Sequence, residues 1–294
     1  MRLIRDSLVQ RAILSKFKIF LLFLLVCLSC QKTESSYLSS LTQEERADID
    51  YLFRHLLIED SGAFVLFGSK PLCDSGFFDH AVEDPRYRRN LAHGWAAWEK
   101  LKKQLPTTRY LLVKKMVKIP LQYPDRYEEK TFQHIILANI EKTAFVLAEN
   151  YELFKNYVGI DFHPLQVVFE LEDPNSLFWN KVFDFEHPHR PGGSIAHGLL
   201  FGFGKRNALF WTWESDLAAR NEKAAAYFKH APFAFHSFQN KEGELQEVSE
   251  LEIPAFKAIE GDETLKRYKR EKREIEKLYR GKEFLEVTLK QLSK

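Results

Sequence analysis

"RYLLVKKMVKI" (Arg109–Ile119) and "FQHIILAN" (Phe132–Asn139) are two apolar-rich runs joined by a stretch holding Pro120, Pro124 and Asp125. Short aliphatic and β-branched runs bounded by turn formers predict strands. Around this pair the spacing turns helical. Upstream, Ile49, Leu52, Phe53, Leu56 and Leu57 lie on one helix face, opened by "TQEE" with Thr42 as N-cap and Glu45 three residues on. This helix is expected to stop before Gly62. A further helix is expected from about Asn90 to Gln104, ended by Pro106. Downstream, Ala144, Leu147, Tyr151, Phe154 and Val158 mark a helix stopped at Gly159.

The rest of the chain repeats this mixture. "AFVLFG" (Ala63–Gly68) reads as a buried strand. Phe162 to Phe185 holds two short helical patterns separated by "EDPNS", and Ser215 to Phe228 is Ala-rich and helical. "FAFHSFQ" (Phe233–Gln239) and "LQEVSELEIPAF" (Leu245–Phe256) flank "NKEGE" and predict a hairpin. A long charged helix follows from Asp262, with Gly281 as its break. Helices and strands alternate without a strict βαβ rhythm. The expected fold is α+β, a single domain with helices packed on a mixed, largely antiparallel sheet.

The N-terminus is different in kind. Ile19–Leu28 is an uncharged run of ten residues behind Lys16 and Lys18, followed by Ser29 and Cys30. A membrane-spanning helix needs about 20 apolar residues, whereas a secretory signal needs about 7–15 behind a positive flank and before a small residue. The other readings are a plain signal and a buried helix. Residues 1–29 carry a net +4 and the whole chain +2, which leaves −2 for the remainder. The basic surplus belongs to the leader, so a nucleic-acid partner is not indicated. "VCLSC" resembles a bacterial lipobox, in which the cysteine is acylated and becomes the new N-terminus. It departs from the pattern by having Cys27 where Leu is usual. The resemblance implies lipidation at Cys30 and attachment to a membrane. Gln31 in place of Asp points to the outer membrane of the cell envelope. The expected organisation is a signal peptide (1–29), a lipidated cysteine with a polar, Ser-rich tether (30–40) and a globular domain (41–294).

Three further segments, "FVLFGSKP" (Phe64–Pro71), "GLLFGFGKRNA" (Gly198–Ala208) and "YRGKEFLEVTLKQL" (Tyr279–Leu292), together resemble a family of secreted or lipid-anchored proteins of the chlamydia-like bacteria. That resemblance implies an envelope or host-facing location and carries no activity with it.

Candidate chemistry is sparse. "DFEHPHRPGGSIAHG" gathers Asp184, Glu186, His187, His189 and His197. A His-x-His pair on extended chain points both rings one way, and a carboxylate with a distal His would complete an open zinc site for a hydrolase. A solvated Pro/Gly loop explains the same residues, and there is no His-Glu-x-x-His helix. "GFGKRNA" lacks Walker spacing and the magnesium hydroxyl. It reads as a helix end, with Gly204 the stop, Lys205 and Arg206 near the carbonyls, and Asn207 capping the next element. Gly202, Gly204, Lys205, Arg206 and Asn207 are also a candidate anion pocket. Ser69 and Lys70 in "FGSKP" can form a binding lip, but chain neighbours point apart and do not make a nucleophilic pair. Trp211 and Trp213 would share one face of a strand, for stacking or for core packing. "KRYKREKREIEK" (Lys266–Lys277) reads as a solvated helix face with local ion pairs. Cys73 is the one cysteine outside the leader and reads as a small buried hydrophobe. No cofactor is expected. The sequence points to an anchored binding or scaffolding module, more readily non-enzymatic than enzymatic, with a protein partner as one candidate ligand. A metal-dependent hydrolase is the alternative.

Overall fold

The structure is a computed structural model that describes residues 35–77, 85–118, 131–184, 193–218, 233–235, 247–259 and 261–294. Its centre is a three-stranded antiparallel sheet of β1 (Leu72–Phe77), β2 (Tyr110–Lys118) and β3 (Thr131–Asn139), in the order β1-β3-β2. Leu72 faces Ala138 and Ser75 faces Ile135 on one side of β3, while Lys115 faces His134 on the other. Both outer strands run antiparallel to β3 and therefore share a direction. They are joined through a helix, so the unit is a split β–α–β with β3 inserted.

Side chains alternate across a strand, and here both faces are buried. Cys73, Tyr110, Leu112, Ile135 and Leu137 enter one core, with the helices of the two chain ends. Leu72, Val113, Ile136 and Ala138 enter the other, with the helices of the middle of the chain. The first core is covered by α1 (Ser35–Leu38), α2 (Gln43–Arg54), α3 (Ala63–Leu66) and α4 (Pro85–Leu101). The second is covered by α5 (Ile140–Glu149), α6 (Tyr151–Val158), α7 (Pro164–Phe169), α8 (Leu177–Val182) and α9 (Gly193–Leu200). Trp179 anchors it, fully buried, with its indole N–H on the Val167 carbonyl at 2.5 Å. Next come α10 (Lys205–Ala218) and a two-stranded ribbon of β4 (Phe233–Phe235) and β5 (Lys257–Ile259). The last elements, α11 (Glu263–Tyr279) and α12 (Phe284–Leu292), return to the first core. The α+β class and the antiparallel sheet are as the sequence predicts.

Local signals explain many boundaries. Thr42 and Glu45 form the expected capping box at α2, at 3.2 and 2.9 Å. Gly159 ends α6 in the left-handed region. The expected 144–158 helix is two helices that meet at Asn150. The charged face of α11 carries the expected near-neighbour pairs, Lys266–Glu263 at 2.7 Å and Lys277–Glu274 at 3.0 Å.

Other expectations are corrected. Ala63–Leu66 is helical, not a strand, with Val65 and Leu66 bonded back to the Gly62 carbonyl. A run buried on every side has no period to tell the two apart. β5 starts at Lys257, beyond the segment expected to close the hairpin, and Val248–Glu250 is a 3-10 turn. Trp211 and Trp213 belong to helix α10 and not to a strand; Trp213 packs edge-on to Phe210. Residues 35–40 are folded rather than tether. Leu38 and Leu41 enter the core, and the Arg46 side chain donates to the Leu38 carbonyl at 2.9 Å.

β3 therefore links two cores. We predict that Ile136→Ala and Leu137→Ala, adjacent but facing opposite cores, each destabilise the fold by about 2–5 kcal/mol, the range for emptying a packed aliphatic site. Urea unfolding followed by tryptophan fluorescence measures both. A near-zero cost at either position would contradict the double burial.

Candidate functional site

Two segments distant in sequence, Gly68–Pro71 and Gly202–Lys205, meet in the fold. Helix α9 ends in a Schellman turn: Phe203 N–H donates to the Gly198 carbonyl at 2.8 Å and Gly202 N–H to Leu199 at 3.0 Å. The left-handed residue of this turn is Gly202, at φ 79°; Gly204, just before α10, is left-handed as well, at φ 79°. The helix stop is thus two residues before the expected Gly204. Tyr268 donates to the Gly202 carbonyl at 2.9 Å, and a Cβ at Gly202 would meet the Tyr268 hydroxyl and would stand 3.0 Å from Pro71 Cδ. Conformation and space both demand glycine there.

This two-residue shift changes what the following cations do. Lys205 and Arg206 open the first turn of α10, at the positive end of a 14-residue helix with no acidic residue in that turn. That placement is electrostatically unfavourable. Asn207 does not cap α10. It is buried, and its amide donates to the Phe203 carbonyl at 2.9 Å and to Asp262 Oδ1 at 3.0 Å, the N-cap of α11. Arg206 lies 5.9 Å from the Phe210 ring on its own helix and is outside the cleft wall described next.

The two turns form one wall of a cleft of about 770 Å³. Ser69 and Pro71 come from the first turn, and Gly202, Gly204 and Lys205 from the second. Helix α5 supplies Glu141, Lys142, Phe145, Val146 and Glu149, and α11 supplies Arg267. The Lys142 ammonium donates to Val65 O at 3.2 Å and to Gly68 O, which ties α5 to the end of α3. Burial holds its pKa below the usual lysine value, against the attraction of Glu271. Ser69 N–H donates to Glu271 Oε2 at 3.1 Å, and a Cβ on Gly68 would run into that carboxylate. Two residues that line the cleft carry an uncommitted donor: Ser69 Oγ and Arg267 Nε are buried atoms without a hydrogen-bond partner among the described residues. Buried polar atoms are as a rule hydrogen-bonded, to protein, water or ligand. As expected, Ser69 and Lys70 point apart, Ser69 to the cleft and Lys70 into the interior.

The predicted metal cluster is only partly described. His187 and His189 lie outside the described residues. Asp184 follows α8, and His197 sits in α9 with Nε2 2.5 Å from the Val182 carbonyl. A ring nitrogen that donates to a carbonyl is not a metal ligand in that state. Burial pushes the His197 pKa down, against the pull of the Val182 carbonyl and the Asp74 carboxylate. Among the described residues no group of three or more His, Cys, Asp and Glu side chains is placed to hold a metal ion.

A buried ionic network beside the sheet is absent from the sequence reading. Residues 55–59 form a π-helical turn, closed by Asp60 N–H on the His55 carbonyl at 3.1 Å. This turn puts His55 Nδ1 2.5 Å from Glu59 and Nε2 3.3 Å from Asp60. Across β1, His134 Nδ1 contacts both Asp74 oxygens, at 2.7 and 2.8 Å. The two are diagonal partners on one sheet face, since Asp74 is directly opposite Ile136. The His55–Glu59 pair has the legible spacing of helical neighbours; the cross-strand pair leaves no mark in the sequence. Lys70 is buried in the same region, and burial lowers its pKa. Cys73 is a buried free thiol, as expected, and burial pushes its pKa up to about 12.

Burial opposes the His55 imidazolium, but Asp60 and Glu59 together outweigh it and raise the pKa above the ordinary value. The stabilisation from a raised histidine is complete below about pH 6.5, its unfolded value, and is lost as pH rises through the folded pKa. Asp60, raised by its own burial against the pull of His55, acts in the same direction. His55→Ala leaves two carboxylates without their cation, and we expect a loss of about 3–5 kcal/mol near pH 6. Denaturant titrations across pH should show that gap narrowing towards pH 9; a pH-independent gap would contradict the charged pair. Gly202→Ala should cost about 1–3 kcal/mol in the same assay, the scale of a forced left-handed residue. No protein-family model, curated protein or solved structure matches the chain.

Proposed function

We propose that this chain is a cell-envelope lipoprotein, acylated at Cys30, whose α+β domain serves as a binding module at the membrane surface. The observation that carries the binding role is the cleft, lined by Ser69 and Arg267, whose Oγ and Nε have no hydrogen-bond partner among the described residues. Concave sites of about 300–1,000 Å³ with a few convergent polar groups are the usual form of small-ligand sites. The anchor is supported by the charge-flanked apolar run Ile19–Leu28 and by Ser29 before Cys30. On this reading only residues 31–34 separate the acylated cysteine from α1, a reach of about 14 Å. The domain then sits against its own bilayer. The outer membrane is the proposed location, by Gln31. The alternative, a metal-dependent hydrolase on Asp184, His187, His189 and His197, would have to use His197 through Nδ1, since Nε2 is held by the Val182 carbonyl.

Metabolic labelling with a radioactive fatty acid tests the anchor. Wild type should incorporate label and Cys30→Ala should not. Label that persists in the variant, or is absent from wild type, would overturn lipidation at Cys30.

A further inference from the structure

We infer that the cleft between α5 and the α9–α10 turn binds a phosphoester, its anionic oxygens taken by Ser69 Oγ, Arg267 Nε and the Lys205 ammonium. The inference rests on the binding reading above and is independent of acylation.

The donors come from three separate elements and converge on one concavity. Ser69 is held by its own N–H on Glu271, and Arg267 precedes Glu271 by four residues on α11. Residues four apart lie on one helix face, so the carboxylate that positions Ser69 places Arg267 one turn away on the same side. Both residues line the cleft, and each carries a buried donor unused among the described residues. Lys205 adds an exposed cation, and the first-turn amides of α10 have no intrahelical acceptor. Lys142 contributes a third cation, already shared between two carbonyls.

The ligand is not a bare ion. The wall also carries Glu141 and Glu149, which brings its formal charge to +1 with Lys142, Lys205 and Arg267. Carboxylates beside an anion site suit hydroxyl donors of the same molecule. Phe145, 60% exposed on the same wall, offers an apolar face to the remainder. A phosphate esterified to a hydroxylated body satisfies all three features; hydrocarbon alone leaves the donors unpaired. Two sources share this chemistry, a soluble phosphoester and a phospholipid headgroup.

The test is calorimetric titration of the full chain in non-ionic detergent with inorganic phosphate, glycerol 3-phosphate and dihexanoyl phosphatidylglycerol. Ser69→Ala, Arg267→Gln and Lys205→Gln should each weaken binding about tenfold or more, the scale of one charge-assisted hydrogen bond. Lys155→Ala, remote from the cleft, should leave it unchanged. Binding of glycerol 3-phosphate with this pattern supports a soluble phosphoester, and binding of the lipid alone supports a headgroup. If none of the three probes binds, or if binding survives all three cleft substitutions, the site is refuted. Lys205 is exposed, so its variant keeps the test decisive if Arg267→Gln fails to fold. A negative titration with Cys30 labelling intact removes the phosphoester and leaves the anchor. The reverse result removes the anchor alone.

Discussion

From His134 to Asn139 strand β3 has no solvent face, and the rest of the fold follows from that. Ile135 and Leu137 point into one core while Ile136 and Ala138 point into the other. A strand buried on both sides cannot shift register by one residue without exchanging the contents of two cores. That fixes β1 and β2 on its two edges and forces helices onto both faces. It also sets β1 at the edge that carries Pro71, Lys70 and Ser69, where the cleft begins.

The continuous apolar character that makes β3 central is what made it legible. β2 and β3 were readable because an apolar run with turn formers at both ends has few other fates. β1 was not, because "LCDSGF" is poor in strand formers. Its pairing with β3 supplies what its composition does not. Ala63–Leu66 failed in the opposite way: it has strand-like residues, but satisfies its backbone locally. Where the preference lies in the chain itself, as in the Thr42–Glu45 box, sequence and structure agree.

The site was legible in pieces. Gly202, Gly204 and Lys205 were named from the sequence and line the cleft, whereas Arg206 and Asn207 do not. The difference turns on where α9 ends: with its Schellman turn closed at Gly202, the second left-handed glycine, Gly204, stands just before α10, and a helix end becomes a helix start. Ser69 was visible as part of a lip. Its bond to Glu271, which brings it to one cleft with Arg267, was not, because that contact joins segments some two hundred residues apart. Chain neighbours have sequence signatures; assembled walls have none.

The cleft and the buried ionic network share one short segment. Ser69 faces the cleft, while Lys70 turns inward, its stem 3.3 Å from where a Cβ on Gly202 would stand. The Lys70 charge is felt by Cys73, Asp60 and Asp74. Pro71 lines the cleft and offers its carbonyl to Asn139 N–H at 2.8 Å and to Thr143 at 3.1 Å, at the end of β3 and the start of α5. The turn that presents a donor to the cleft is therefore pinned from behind by the sheet and by buried charge. A loop so held loses little freedom when a ligand arrives, and low ordering cost is what lets a few polar contacts give useful affinity.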